Sequence, residues 1–257
     1  MCIVAFSWNP DSETPLLLAA NRDEFFERPT QAMHWWPSTA ILAGRDLKSG
    51  GAWLGVTRHG RFAMITNIRN PALRRADAPS RGELAREFLE GNASPADFAY
   101  AANARKSGYE GFNLLCGEVS PQASDLWFLN STESSPRQLG ANLYALSNAT
   151  LDTPWPKLTR IKQGFRHALA EKDIPARDER LLRLLHNTTR PRDDQLPVTG
   201  VPLDWERVLG SIFIRSETYG TRASTLVRLH PQSGQVTEIS HQAHAASAER
   251  RDFTLRA

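Results

Sequence analysis

A cysteine stands at position 2, and its small side chain lets an aminopeptidase remove Met1, leaving a thiol and a free α-amine on one residue. The unperturbed pKa of such an amine is about 7.7–8.0 and that of the thiol about 8.5. At neutral pH a useful fraction of the amine is therefore an unprotonated base beside its own nucleophile. Further on, the polar run Asn21-Arg22-Asp23-Glu24 follows an apolar segment, Leu16 to Ala20. A hairpin would return that polar end beside Cys2. Amide hydrolysis by a thiol needs a base, an acid for the leaving amine and fixed donors for the developing oxyanion. The α-amine can serve as base and then as acid, and an asparagine NH₂ donates without titrating.

The elements that must position these groups are legible in outline. Cys2 to Trp8 is apolar on both faces, with Cys2, Val4, Phe6 and Trp8 on one and Ile3 and Ala5 on the other. Such a strand predicts layers above and below its sheet. Asn9-Pro10-Asp11-Ser12 is a turn, and Pro15 to Asn21 the returning strand. Further strands are predicted at 41–43, 52–57, 61–68, 112–119, 125–129, 142–148, 224–230, 235–241 and 252–255. Gly60 takes a positive φ in the turn between the hairpin strands 52–57 and 61–68.

Helices are predicted from a Ser80–Glu83 capping box to Gly91, and after Ser94-Pro95. Others are predicted over 155–171, 177–186 and 204–209. Strands joined by hairpins, with amphipathic helices between the groups, imply an α+β fold. We expect a four-layer α-β-β-α sandwich of mainly antiparallel sheets, with residues 1–257 as one domain.

Composition is that of an ordinary globular chain, 40% hydrophobic and 23% charged, with a net charge of +3. Arginine outnumbers lysine 26 to 5, but without basic clusters or interleaved aromatics it does not predict nucleic-acid binding. No apolar run reaches the roughly 18 residues of a membrane span, and no leader precedes Cys2, so a cytoplasmic protein is expected. Two cysteines make neither a disulfide framework nor a zinc site. Cys116, in the apolar run 112–116, reads as a buried small hydrophobe. His241 and His244 lack further ligands and read as surface residues, and no metal site is expected. Oligomeric state is not encoded in any pattern seen here.

With Met1-Cys2 upstream and Arg28-Pro29 downstream, Asn21-Arg22-Asp23-Glu24 resembles the signature of the NRDE family, the transport-and-Golgi-organisation proteins. Gly50-Gly51-Ala52-Trp53-Leu54-Gly55, Thr66-Asn67-Ile68-Arg69, Leu146-Ser147-Asn148 and Tyr219-Gly220-Thr221-Arg222 extend the resemblance over nearly the whole chain. That family is in turn similar to cysteine N-terminal-nucleophile hydrolases such as penicillin V acylase and bile salt hydrolase, which implies the α-β-β-α fold. The resemblance implies Cys2 as nucleophile and Asp23 as holder of the amine and thiol. Asn67 and Asn148 match amide donors, and Arg222 a late arginine near the cysteine. Arg22 adjoins Asp23, whereas those enzymes place their early arginine a few residues before the aspartate. Strict strand alternation would put Asn21 and Asp23 on the site face and turn Arg22 away.

Two functions follow. The first is a hydrolase of linear amides, with Cys2 forming an acyl intermediate and no cofactor required. The second, implied by the resemblance, is a carrier for haem or for lipid or acyl-CoA. In the carrier, the aromatic group His34-Trp35-Trp36 with Trp53 would line an apolar cleft, and Cys2 or a histidine could ligate iron; Asn21 and Glu24 are further candidate binding residues. The aromatic group also reads as ordinary core. Any haem would be held noncovalently, because no Cys-x-x-Cys-His is present.

Overall fold

The computed structural model describes residues 1–122, 124–241 and 249–256. Strands β1 (Cys2–Trp8), β2 (Leu16–Phe25), β3 (Thr30–Trp35), β4 (Ile41–Asp46), β5 (Leu54–Thr57) and β6 (Arg61–Asn67) come first. Helices α1 (Gly82–Glu90) and α2 (Pro95–Ala104) follow, then β7 (Phe112–Val119), β8 (Ser124–Asn130), β9 (Arg137–Gln138) and β10 (Asn142–Leu146). The chain continues through α3 (Pro156–Leu169), α4 (Ile174–Leu185) and α5 (Leu203–Val208) to β11 (Tyr219–His230), β12 (Ser233–Ser240) and β13 (Glu249–Arg256).

Among the described residues, one sheet runs β10-β1-β2-β11-β12-β13 and the other β3-β4-β5-β6-β7-β8-β9. Every neighbouring pair is antiparallel. The period of two read in β1 sorts its side chains as expected. Val4, Phe6 and Trp8 pack against Met33, Val56, Phe62 and Met64 of the facing sheet. Ile3 and Ala5 turn outward to Leu158, Ile161 and Phe165 of α3 and to Leu181 and Leu185 of α4. A third cluster joins Ala63 and Ile65 of β6 to Leu84 and Phe88 of α1 and Phe98 of α2. The layers are therefore helices, sheet, sheet, helices, the α-β-β-α sandwich expected. Each fully buried large side chain in these clusters contributes about 1.5–3 kcal/mol through burial. No helix among the described residues is long and apolar enough to cross a membrane.

Several boundaries differ from expectation. β2 continues past Asn21 to Phe25 because β11 pairs along it, from Leu16 opposite Leu229 to Phe25 opposite Tyr219. The four polar residues at 21–24 are thus strand. The capping box at Ser80 does not form: Arg81 is the N-cap of α1 and makes no side-chain cap bond. Ser94 does cap α2, its Oγ accepting from the Asp97 N–H at 3.1 Å. α4 starts three residues early, capped by Asp173, because Pro175 fits the first turn. His241 is half-buried: its Nε2 lies 3.0 Å from Ser224 Oγ and its ring packs on Phe213 and His186. Burial pushes its pKa down to about 4. His244 lies outside the described residues.

Two glycines do what no other residue would. Gly60 has φ +81, and a Cβ there would stand 1.9 Å from the Val119 carbonyl oxygen. At Gly51 a Cβ would meet the Gly82 carbonyl carbon at 2.6 Å, so its absence lets the start of α1 dock against 51–52. The Ala52 N–H donates to Gly82 O at 3.2 Å across that junction.

Candidate active site at the amino terminus

β1 begins at Cys2, where β2 is about to leave the core. Their register sets Cys2 opposite Arg22, Val4 opposite Ala20 and Phe6 opposite Leu18. Residues directly opposite in an antiparallel pair share a face, so the Arg22 side chain lies on the thiol's face, at the open end of the inter-sheet core. Arg22 donates to Thr30 Oγ1 at 3.3 Å and Asp46 Oδ2 at 3.4 Å, and its Nη2 is 3.9 Å from Glu24 Oε2. Arg28 shares both acids, 2.5 Å from Asp46 and 3.9 Å from Glu24. This corrects the expected orientation. Asn21 is the residue that turns away: its Nδ2 donates to Leu185 O and Ile212 O at 2.8 and 2.9 Å, and Ser224 Oγ donates to its Oδ1. Asn21 ties β2 to the helical layer.

Asp23 reaches the same strand end from the other face. Its Oδ1 accepts from Thr221 Oγ1 at 2.7 Å, while Oδ2 is buried without a hydrogen-bond partner among the described residues. Its backbone N–H donates to Met1 O at 2.6 Å, and its carbonyl accepts from the Met1 amine. That amine also lies 2.9 Å from Tyr219 Oη. Burial raises the Asp23 carboxyl, opposed by the amine, Lys157, Thr221 and Arg69. Lys157, buried at the first turn of α3, is pushed down to about 7 by burial and then by Arg69, with Asp23 opposing. Arg69 is buried too, bonded to Glu206 and set 4.7 Å over the Trp155 ring.

Asn67 ends β6 and lines the cavity in front of Cys2. Asn148 is buried; its Nδ2 donates to Asn67 O at 2.9 Å, and its own carbonyl accepts from the Arg69 N–H at 2.7 Å. One N–H of its amide is therefore engaged in holding Asn67. Ser147 Oγ lies 2.8 Å from Cys2 O and 3.0 Å from Asn148 Oδ1, linking Cys2 to Asn148.

Arg222 is not beside the thiol. It sits at a bulge in β11, and its Nη1 donates to the carbonyls of Phe25, Phe26 and Arg28. It fixes the turn after β2, and Arg22 takes the place beside Cys2. The aromatic group does not form one cleft either. Trp35 and Trp36 are sequence neighbours at a strand end and split between layers: Trp35 packs on the inter-sheet core, and Trp36 lies under α1 with Nε1 on Ala43 O. His34 Nδ1 is 2.9 Å from Ala32 O. Of the four, Trp53 lines the Cys2 cavity. Sequence reasoning passed over Ser147, Thr221, Tyr219 and Arg69, all inside the quoted motif segments, where only the asparagines and Arg222 were given roles. Lys157 carried no signal; it borders an apolar helical face.

A cavity of about 130 Å³ opens on Cys2, Arg22 and Asn67. A second of about 160 Å³ lies beyond Met1, Asn67 and Arg81, which line both. With Met1 in place, burial pushes the Cys2 thiol up to about 11; the amine and Arg22 oppose this and Asp23 adds to it. Cys116 is raised further by burial, its Sγ 3.6 Å from Pro95 O between β7 and α2. Iodoacetamide is expected to label Cys2 at least tenfold faster than Cys116, since reaction requires thiolate and access. Peptide mapping by mass spectrometry reads the ratio; equal labelling would remove Cys2 as the accessible nucleophile.

Comparison with known proteins gives the family and the fold. The family described as Transport and Golgi organisation 2 matches residues 1–245. A Transport and Golgi organization protein 2 homolog from Bos taurus is 34% identical over 255 residues, covering 92% of this chain and 91% of that protein. The Homo sapiens homolog is 32% identical over 254 residues, with the same coverage. Among solved structures, the Caenorhabditis elegans N-acylethanolamine-hydrolyzing acid amidase ortholog superposes with a TM-score of 0.50. It is 10% identical and covers 88% of this chain and 92% of its own. That likeness is one of fold alone.

Proposed function

We infer that this chain, which belongs to the Transport and Golgi organisation 2 family, is an amidohydrolase in which Cys2 attacks a linear amide after Met1 is removed. One observation carries the reading. Cys2, Asn67 and Asp23 line one cavity at the end of the β1–β2 pair, and the buried Oδ2 of Asp23 has no hydrogen-bond partner among the described residues. A buried carboxylate oxygen left without a partner is costly. The α-amine of a trimmed Cys2 is the donor that would satisfy it.

In that reading trimming frees the Cys2 nitrogen, and Asp23 holds it. The amine takes the thiol proton, with Arg22 favouring the thiolate from the same face. The sulfur adds to the amide carbon and Asn67 donates to the oxyanion. As the C–N bond breaks, the amine returns the proton to the leaving nitrogen. Water then hydrolyses the thioester, activated by the same amine, and no cofactor is needed. Asn148, Ser147 and Arg69 position Asn67 and Cys2. The fold of the acid amidase ortholog supports this as analogy. The carrier alternative, with noncovalent haem or lipid as cargo, draws less support, since His34 and Trp36 are engaged away from the cavity.

The direct test is intact mass spectrometry of trimmed protein given a slowly hydrolysed amide, where an acyl adduct on Cys2 is expected. Asn67→Ala should lower turnover about 10²–10³-fold with the fold unchanged. Turnover equal to wild type would reduce Asn67 to the end of a strand.

A further inference from the structure

Met1 does more than block an amine. Its side chain packs into an apolar cup made by Leu209, Ile214 and Tyr219, with Trp205 and Val208 beside it. The cup continues outward. The Phe25 ring stands 5.0 Å from Tyr219 and 6.1 Å from Trp205, yet Phe25 is 41% exposed, and Leu203, at the start of α5, is 48% exposed. The cavity beyond Met1 has Ile68, Pro71, Leu73 and Val201 in its wall. Its buried cation, Arg69, is already met by Glu206, and Arg81 by Glu110; Arg74 also lines it.

The cavity on the Cys2 side carries more arginines and shares Arg81 with the second. Arg22, Arg28, Arg45 and Arg81 line it, against Glu24 and Asp46, the acids between Arg22 and Arg28, and Asp23 at the strand end. Arg81 pairs with Glu110 at 3.2 Å, whereas Arg45 makes no ion pair among the described residues and sets its guanidinium 5.0 Å over Trp36. The uncapped start of α1, at Arg81 and Gly82, joins the same wall and adds a positive helix end. This arm favours an anion.

We propose that Met1 occupies the acyl subsite of the untrimmed chain, and that its removal joins the two cavities into one cleft for N-acyl amino acids. The cup takes a short unbranched acyl chain of methionine's own size and character. The arginine arm takes the carboxylate on the amine side, with Arg45 as its specificity residue, and Cys2 and Asn67 lie between. At about 130 and 160 Å³, the two spaces joined through the volume of Met1 approach the lower end of the roughly 300–1,000 Å³ of small-molecule sites. The assignment rests on the hydrolase reading for its chemistry. The Cys2 sulfur adds to the acyl carbon, the C–N bond breaks and the thiol's proton leaves on the amino acid's nitrogen. Water then releases the fatty acid and restores the thiol.

The test compares protein beginning at Cys2 with protein retaining Met1, each verified by intact mass. Binding of N-hexanoylglycine and of its uncharged analogue N-hexanoylethanolamine is measured by calorimetry, and their turnover by amine release. Trimmed protein is expected to bind hexanoylglycine at least about tenfold more tightly than untrimmed, and more tightly than the ethanolamide. Arg45→Ala should remove about tenfold of the preference for the carboxylate, and Arg45→Lys should keep part of it. Equal binding by trimmed and untrimmed protein, or no preference for the carboxylate, overturns the assignment. The two readings fail differently. Tight, Arg45-dependent binding without turnover keeps the subsites and removes the hydrolase, while equal turnover of the ethanolamide keeps the hydrolase and removes the subsites.

Discussion

Trimmed protein carrying Cys2→Ala is expected to lose amide turnover by on the order of 10⁴–10⁶-fold, the cost of deleting a covalent nucleophile whose partners remain. Alanine is as small as cysteine, so Met1 is removed equally well and the comparison isolates the sulfur. Wild-type protein retaining Met1 should be inactive to a similar degree by a separate route. Its Cys2 nitrogen is an amide, so no base adjoins the thiol, whose pKa stands near 11. At that value roughly one thiol in 10⁴ is ionised at pH 7. Met1 itself holds the Asp23 backbone N–H and the Tyr219 hydroxyl. Trimming releases both. Turnover is measured on samples of known terminus, with circular dichroism showing the same fold. Untrimmed protein within tenfold of trimmed protein would sink the N-terminal-amine mechanism, and an active Cys2→Ala protein would sink the nucleophile.

The site was legible in the sequence to the extent that alternation and strand ends determine it. β1 announced its two-faced burial, and the polar residues at the end of β2 announced a break in the core. Alternation also says that Arg22 and Asp23 diverge. It does not say which of them shares a face with the thiol. That depends on register, and Cys2 opposite Arg22 settles it. Taking Asp23 as the reference put Asn21 in the site and Arg22 outside, whereas Asp23 approaches around the strand end, held by Thr221 of β11. Arg222 was misplaced for a related reason: the bulge between Thr221 and Ala223 re-aims its side chain, and a bulge leaves no mark in composition. Trp35 and Trp36 could not both face one cleft, since adjacent strand residues point apart. Lys157 was invisible because a single lysine beside an apolar helical face looks like a snorkelling residue. Here it is 2% exposed, on the element that closes the back of the site.

The largest stability effect should come from Glu206, which lies in none of the quoted motif segments. Its Oε2 bonds Arg69, and its Oε1 accepts from the Thr199 N–H and hydroxyl. Glu206 is 3% exposed and Arg69 6%. Arg69 Nε and its second Nη already lack hydrogen-bond partners among the described residues, and burial lowers its pKa. Glu206→Ala therefore leaves a buried guanidinium without its hydrogen-bonded acid, and Asp23 acts on it only through its field. Breaking such a pair costs about 3–5 kcal/mol. At about 2–4 °C per kcal/mol for a chain of this size, the thermal midpoint should fall by roughly 6–20 °C. Arg207→Ala, on the same helix, removes two exposed pairs to Asp193 and Asp204 and should leave the midpoint nearly unchanged. Replacing both partners, Arg69→Met with Glu206→Leu, should recover much of the loss, because the penalty is an unpaired charge and not a missing attraction. The effect also reaches the site, for the Arg69 backbone holds Asn148, and Asn148 holds Asn67. Differential scanning calorimetry of the four proteins decides it. A Glu206→Ala midpoint no lower than that of Arg207→Ala would mean that water already screens Arg69, and that the charge cluster behind Cys2 is wetter than its burial implies.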